Sequence, residues 1–420
     1  MIHQHFMLVP SLTVAENVAL GMRSTRGFRL DLDIVSQRLL ELSQHYNLHI
    51  DPSRAIWQLS VGERQRVEIL RALYKGTDLL ILDEPTAVLT PQEADNLFDT
   101  LRIMANDGHS LVFISHKLNE VLKLTHRISV LRGGAHVATI PTAEATKEIL
   151  AEMMVGHPVV FQYEYEDVAR GEPRLSLANV TARGETGDER LKEVSFSVHS
   201  GEIVGIAGVS GNGQRELAEA ITGLRRVDHG AIRVGAKDIT NAPAARIKDM
   251  HVSYIPEERM EDGIVKEFTI TENYVLRDFR HAKFTRLGWF MNLGTIRQFC
   301  QEAIKRYEIK TPSQKTRIRN LSGGNIQKLI LARELDAEPE VIIAAQPTRG
   351  VDIGAIEYIH RRLLDQRSKG TAILLISEDL DEILLLADRI LVMYEGRIVG
   401  EVPREEVQIE RIGAMMAGAG

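Results

Sequence analysis

Leu79-Leu80-Ile81-Leu82-Asp83-Glu84-Pro85-Thr86 is an apolar run closed by two carboxylates and a proline. A short, wholly apolar run of this kind suits a strand buried on both faces of a parallel sheet. The C-terminal end of such a strand is where open α/β sheets bind their ligands. Working outward, the same pattern returns downstream. Asp83-Glu84-Pro85-Thr86 recurs as Ala345-Gln346-Pro347-Thr348, Leu59-Ser60-Val61-Gly62-Glu63 as Leu321-Ser322-Gly323-Gly324-Asn325, and Ile114-Ser115-His116 as Ile376-Ser377-Glu378. All three blocks are offset by 262 residues. Thr13-Val14-Ala15-Glu16-Asn17 also returns, as Thr269-Ile270-Thr271-Glu272-Asn273. A constant offset of this size means two copies of one domain, each far larger than a solenoid unit.

The expected organisation is a first copy over residues 1–157, a linker at 158–172 with acids at Glu164, Glu166 and Asp167, and a second copy over 173–420. Residues 111–114, 372–376 and 390–393 read as further buried strands, and Ile326, Leu329 and Ile330 follow helical spacing after Ser322. Each copy is therefore α/β, with a mainly parallel sheet at its core.

Composition narrows the class. The 420 residues are 44% apolar and 26% charged, with a net charge of −7, so no basic field points to nucleic acid. The single cysteine, Cys300, rules out a disulfide framework and a cysteine metal site, and fits a reducing cytosol. No apolar run approaches the ~20 residues of a transmembrane helix, and residues 1–5 do not read as a signal peptide. A cytosolic chain is expected, with any membrane role carried by a partner.

The second copy holds a phosphate-loop context. Residues 203–207 are apolar, residues 208–213 are glycine-rich, and residues 216–221 read as helix. Glycines let backbone N–H groups converge on phosphates, and the helix N-terminus adds partial positive charge. The candidate nucleotide contacts are Gly208, Gly211, Asn212, Gly213, Gln214 and Arg215. The full pattern is G-x-x-x-x-G-K-[ST]. Gln214 stands where lysine belongs and Arg215 where serine or threonine belongs, so the ammonium and the Mg²⁺-binding hydroxyl are both lost. In the first copy, Asp83 suits a Mg²⁺-associated carboxylate and Glu84 a group that orients and polarises the attacking water. Their counterparts Ala345 and Gln346 can do neither. Ser60 and Gly62, and likewise Ser322, Gly323 and Gly324, each open a helix and are candidates for anion binding; the alternative is an ordinary serine N-cap. His116 is a candidate γ-phosphate sensor, or else a surface loop histidine, and its counterpart Glu378 repels phosphate.

Together these residues resemble the ABC-transporter ATPase family over nearly the whole chain. The likeness rests on the signatures at 59–63 and 321–325, the Walker B segment at 79–84, the switch His116 and the Q-loop Gln4. Two cassettes in one chain look like the sugar and nucleoside import branch, and residues 3–10 and 344–352 look closest to its nucleoside type. The resemblance implies two tandem P-loop NTPase domains, each with a helical arm, paired head to tail. Asp83, Glu84, Gln4 and His116 would then act with Ser322, Gly323 and Gly324, with Gln4 also a Mg²⁺ ligand. The degenerate loop would face Ser60 and Gly62 and hold nucleotide weakly or statically. ATP and Mg²⁺ are the implied cofactors. The implied partners are membrane permease subunits and, indirectly, an extracytoplasmic substrate-binding protein, with no nucleic acid. The implied location is the cytoplasmic face of the cell membrane. The arms, around residues 18–58 and 272–320, are expected to touch the permease. Basic Arg277, Arg280, Lys283 and Arg286 lie there, read as a solvated face.

The departure lies at the front. Residues 1–4 align with Tyr254-Ile255-Pro256-Glu257, and Glu257 follows the start of the second copy by about 84 residues. About that length, including a phosphate loop, is expected ahead of Gln4, and without it the chain is expected to be inactive alone. The rival readings are a non-hydrolysing nucleotide-binding assembly or regulatory protein, and a soluble tandem-cassette factor.

Overall fold

The chain divides into two units, Met1–Val159 and Val160–Gly420. The structure, a computed structural model of the 420 residues, describes all of them except 4–6, 23–30, 87, 88, 90, 159–167, 287–289, 417, 419 and 420. Gln4 and most of the expected linker therefore lie outside the described residues.

The first unit runs α1 (Val14–Ala19), α2 (Leu32–His45), α3 (Val61–Tyr74), β1 (Leu79–Asp83), α4 (Pro91–Asn106), β2 (Ser110–Ile114), α5 (Leu118–Leu124), β3 (Arg127–Arg132), β4 (Ala135–Pro141) and α6 (Lys147–Val155). β1 and β2 are parallel, with Asp83 level with Ile114. Ile2 bridges Leu82 in parallel, and β3 and β4 form an antiparallel hairpin.

The second unit opens with β5 (Pro173–Arg183), β6 (Glu189–His199) and β7 (Ile203–Ala207). Next come α7 (Gln214–Ile221), β8 (Val227–Val234), β9 (Lys237–Asp238), α8 (Ala244–Lys248), β10 (Val252–Ile255) and α9 (Ile270–Val275). A short hairpin, β11 (Thr285–Arg286) and β12 (Phe290–Met291), leads to α10 (Leu293–Arg306), α11 (Gly323–Leu335), β13 (Val341–Ala345), α12 (Ile353–Ser368) and β14 (Ala372–Ser377). The unit closes with α13 (Leu380–Leu386), β15 (Arg389–Tyr394), β16 (Arg397–Pro403) and α14 (Ile409–Met416). Its main sheet has the order β10-β13-β14-β7-β15-β16, and a separate antiparallel layer has the order β6-β5-β8-β9. Only the β15–β16 pairing in the main sheet is antiparallel.

The internal repeat is visible at the level of single bonds. Thr13 and Thr269 cap α1 and α9 with the same reciprocal box to Glu16 and Glu272. Asn17 and Asn273 are buried, and each accepts at 2.8 Å from the backbone N–H eight residues earlier, of Val9 and Val265 respectively. Ile2 meets Leu82 as Ile255 meets Ala344, whose counterpart at the 262-residue offset is Leu82.

One expectation needs correction. The strands of the second unit are buried on both faces, as every residue of β7, β13 and β14 is buried. Those of the first unit are not, because β1 alternates in exposure and no residue of β2 is fully buried. In the second unit one face of the sheet packs on α9–α14, and the other on the antiparallel layer and α7. In the first unit β1 packs its Leu80 and Leu82 face on the helices, while Leu79, Val112 and Ile114 on the opposite face are exposed. A second correction concerns one of the arm cations, whereas Arg280 and Lys283 are exposed, as a solvated face requires. Arg277 is buried, not solvated: it pairs with Glu334 and donates to Ser253 Oγ at 2.7 Å and to Val252 O at 2.9 Å. Arg280 and Lys283 stack on Phe279 and Phe284.

Candidate functional site

At the end of β1 the chain turns at Glu84, in the left-handed region at φ 46°; Gln346 does the same in the second unit at φ 49°. That conformation is sparsely populated for a residue with a side chain. The turn is pinned in both copies, since Glu84 N donates to Ile114 O at 2.9 Å and Gln346 N to Ile376 O at 2.8 Å. It carries Glu84 to the segment just after β2, where His116, two residues beyond Ile114, donates through Nδ1 to Glu84 Oε1 at 2.8 Å. This bond outweighs burial and holds the Glu84 carboxyl below the usual glutamate range, with His116 and Lys117 adding Coulombic support. Asp83, the last residue of β1, lies level with Ile114 of β2 and immediately precedes Glu84. In the second unit Glu378 N donates to Gln346 Oε1 at 3.2 Å, so the charged pair is replaced by an amide contact.

The two signature segments differ in charge. Ser60 caps α3, its hydroxyl accepting from Glu63 N at 3.2 Å while Ser60 N donates to Glu63 Oε2 at 2.7 Å. The ordinary N-cap reading thus describes Ser60. The bond from Ser60 N keeps the Glu63 carboxyl below its usual range. Gly62 is hemmed in as well, because a Cβ there would come within 2.6 Å of Glu93 Oε1. Two carboxylates therefore crowd the N-terminus of α3. At α11 the Ser322 hydroxyl instead accepts from the neutral Asn325 amide at 2.8 Å. A Cβ on Gly323 would lie 2.9 Å from Arg259 Nη2, and Gly324 sits against Ala355. Arg259 is held there by donating to Arg349 O at 2.6 Å and Gly350 O at 2.8 Å. Arg349 in turn pairs with Glu257, whose carboxyl burial pushes up, and with Glu258 at 3.2 Å. The second signature thus has a guanidinium beside its glycine, whereas the first has two carboxylates, of which Glu63 is paired with Arg54 at 2.8 Å; an anion meets less repulsion at the former.

The glycine-rich loop joins β7 to α7. Gly213 has φ 105°, and a Cβ there would stand 2.7 Å from Arg190 O, so only glycine fits. Asn212 ties the loop to the β15–β16 turn by accepting from Glu395 N and Gly396 N, both at 2.9 Å. Arg190 Nη1 donates to Gly211 O at 3.2 Å. Gln214 folds back over the loop, its Nε2 donating to Val209 O at 2.9 Å and lying 2.5 Å from where a Gly208 Cβ would be. Arg215 Nε donates to Glu219 Oε1 at 2.8 Å. The cradle is intact in backbone but lined by a neutral amide, and its two described cations, Arg190 and Arg215, are engaged by Asp188 and Glu219.

The donor chemistry decides which unit fits a metal–nucleotide pair. Mg²⁺ keeps several waters and takes one or two carboxylates plus substrate phosphates, which suits Asp83. The second unit, with Ala345 and Gln346, does not fit. Among the described residues no group of three or more His, Cys, Asp or Glu could hold a metal unaided.

Sequence reasoning placed Asp83, Glu84 and His116 together. It missed Glu93, Arg259 and Arg349, which reach the signatures from distant parts of the chain. For Arg259 and Arg349 the only sequence signal was the run of charges beside Glu257 and Pro347.

Comparison with known proteins agrees with this layout. The ABC transporter family model matches residues 1–87 and 191–349, more than half of the chain. The whole chain is 47% identical to a glucose import ATP-binding protein of Haloferax volcanii, spanning 82% of that protein. It is 42% identical to a nucleoside import ATP-binding protein of Lactococcus lactis and 42% identical to a guanosine import ATP-binding protein of Bacillus subtilis, each match again taking in all of this chain and 82% of the relative.

Proposed function

Because the chain belongs to the ABC transporter ATP-binding family, in its sugar and nucleoside import branch, we propose that it couples ATP hydrolysis to uptake of a nucleoside or simple sugar through a membrane permease. The observation that supports hydrolysis is the Glu84–His116 bond, present in the first unit and replaced by an amide contact in the second. Glu84, ionised, orients the attacking water and takes its proton, while His116 holds that carboxylate in place. Asp83 and Gln4 are assigned to Mg²⁺, which when bound neutralises phosphate charge. Ser322, Gly323 and Gly324, beside the Arg259 guanidinium, are assigned to the γ-phosphate. Gly208, Gly211, Asn212, Gly213, Gln214 and Arg215 are assigned to a second nucleotide held without turnover, with Ser60 and Gly62 in attendance.

No described helix is long and apolar enough to cross a membrane. Attachment to the cytoplasmic face is therefore proposed to run through the permease, with a substrate-binding protein delivering cargo on the other side. The nucleoside type is favoured by residues 3–10 and 344–352 and by the two relatives named for nucleoside and guanosine import. The phosphate loop for the Glu84 site has no counterpart in residues 1–157, so the chain by itself is proposed to be inactive. The test is ATP-driven uptake in proteoliposomes holding the permease and the chain extended by a phosphate-loop segment. Glu84→Gln should lower turnover by about 10²-fold or more. Turnover that ignores Glu84→Gln, or is absent throughout, would favour a non-hydrolysing assembly protein.

A further inference from the structure

The arm of the second unit departs from that of the first in charge. Residues 279–319 hold ten Lys and Arg against two Asp and Glu, whereas residues 20–57 of the first arm hold five against four. The second arm thus carries eight surplus positive charges in a chain whose net charge is −7. Nine of the ten cations have described side chains, and all nine are exposed. Arg306 pairs with Asp336, and Arg317 and Arg319 with Glu267. Arg280 and Lys283 instead lie over aromatic rings: Arg280 is 5.3 Å from the centre of Phe279, and Lys283 4.8 and 5.3 Å from the centres of Phe284 and Phe299. No Asp or Glu occurs in residues 279–301.

The same arm exposes apolar surface. Thr269 follows Thr13 by 256 residues and Tyr307 follows Tyr46 by 261, so the second arm is five residues longer between these points. The hairpin of β11 and β12 lies in this stretch and is fastened at its base. Phe284, ahead of β11, is buried and meets Phe299 of α10 edge-on with ring centres 5.6 Å apart. Asn292 N, just after β12, donates to Phe284 O at 2.8 Å. Beyond that anchor, Phe290 and Met291 of β12 are 70% and 45% exposed, Leu293 is 55% exposed and Phe279 41%. Among the described residues no large apolar side chain is more exposed than Phe290. The cavities of about 530 and 720 Å³ in this unit are lined by other residues, so the arm presents projecting rings and cations rather than a groove.

We propose that the β11–β12 hairpin and the cations around it are an interaction surface for an anionic lipid headgroup layer. Such a boundary is negative at its surface and apolar just beneath. Aromatic rings settle at headgroup level, and Lys and Arg stems lie along apolar surface while their charges stay among the phosphates. A folded protein partner requires a matching shape, which projecting side chains without a groove do not supply; a fluid headgroup layer requires only charge and an apolar depth. Each Lys or Arg near an anionic leaflet strengthens attachment about five-fold. The contact adds to attachment through a permease and does not rest on it, because it needs lipid alone.

The test is co-sedimentation of the full 420-residue chain with protein-free vesicles, either of phosphatidylcholine or of phosphatidylcholine mixed with phosphatidylglycerol. Binding to the mixed vesicles should be at least about 10-fold tighter, and added salt should narrow the difference. Arg280→Gln with Lys283→Gln should weaken it by about 10-fold or more, and Phe290→Ser with Met291→Ser by about 10-fold. Arg38→Gln with Arg102→Gln, which removes as many exposed charges from the first unit, should leave it unchanged. All these positions are exposed, and circular dichroism checks that each variant is folded. Equal binding to both vesicles would overturn the proposal, as would equal losses from the first-unit and arm variants. Binding that appears only when a permease is reconstituted in the vesicles would also overturn it, making a protein the occupant. Sedimentation reads lipid contact without nucleotide, so failure here and failure of the ATPase reading are separate results.

Discussion

At the scale of the residue, Glu84 combines three features that its sequence neighbourhood foretold only in part. It follows a buried-type strand, it adopts a left-handed backbone, and its carboxylate accepts from His116. The third has a pH consequence. A carboxyl held below its usual value favours the ionised form in the folded unit. Its stabilising contribution is complete above the unfolded glutamate value of about 4.3 and is lost as pH falls through the lower folded value. His116→Ala should therefore move the acid limb of turnover in the extended chain upward toward that ordinary value, as read from a pH–rate profile. Gln214 offers the complementary experiment. Its amide lies over the loop, bonded to Val209 O, where a phosphate loop presents lysine. Gln214→Lys with Arg215→Thr should strengthen nucleotide binding by the second unit about 10-fold or more, measured by titration with a fluorescent ATP analogue; unchanged affinity would show that the loop's backbone, not these side chains, limits binding.

At the scale of the element, the two arms show how much of a repeat resides in caps. Thr13 with Glu16 and Thr269 with Glu272 are local boxes, three residues apart, and the sequence displays both. Thr13→Ala and Thr269→Ala should each cost about 1 kcal/mol in chemical denaturation. The asparagine inside each helix does more. Asn273 bonds Val265 N, Val265 O and Thr269 O while fully buried. Asn273→Ala should cost about 2 kcal/mol, because these backbone groups lose their partner away from water. The Asn17–Asn273 equivalence was legible as a motif, but its physical reason, closure of a loop onto a helix, required the fold. The signature helices make the converse point. Their sequences differ by a few residues, yet α3 begins among Glu63 and Glu93 and α11 beside Arg259. Glu63 is visible in the motif; Glu93 and Arg259 come from other elements.

At the scale of the molecule, one 262-residue offset yields strands of nearly the same composition with opposite exposure. Ile376→Ala should cost about 3 kcal/mol, because a fully buried side chain leaves a cavity, whereas Ile114→Ala should fall within about 0.5 kcal/mol. Denaturation monitored separately in each unit by hydrogen exchange distinguishes the two. Equal costs would mean that the first unit's open face is covered in solution.

The sequence by itself determined the duplication, the α/β class, the strands at 79–82, 203–207, 372–376 and 390–393, and Glu84 and His116 as residues to single out, whose contact the structure shows. These rest on residue periodicity, on contacts a few residues long and on motifs that recur at fixed spacing. Only the tertiary structure decided that β1 and β2 leave one apolar face open, that the Arg277 side chain is buried against Glu334, that Gln214 covers its own loop, and that Glu93 stands at one signature and Arg259 at the other. Arg259 and the carbonyl of Arg349 are 90 residues apart along the chain. Contacts of that range form only when strand order brings distant loops to one edge of a sheet. An apolar run likewise shows that a strand prefers burial, but not whether the chain supplies both of the layers that would bury it.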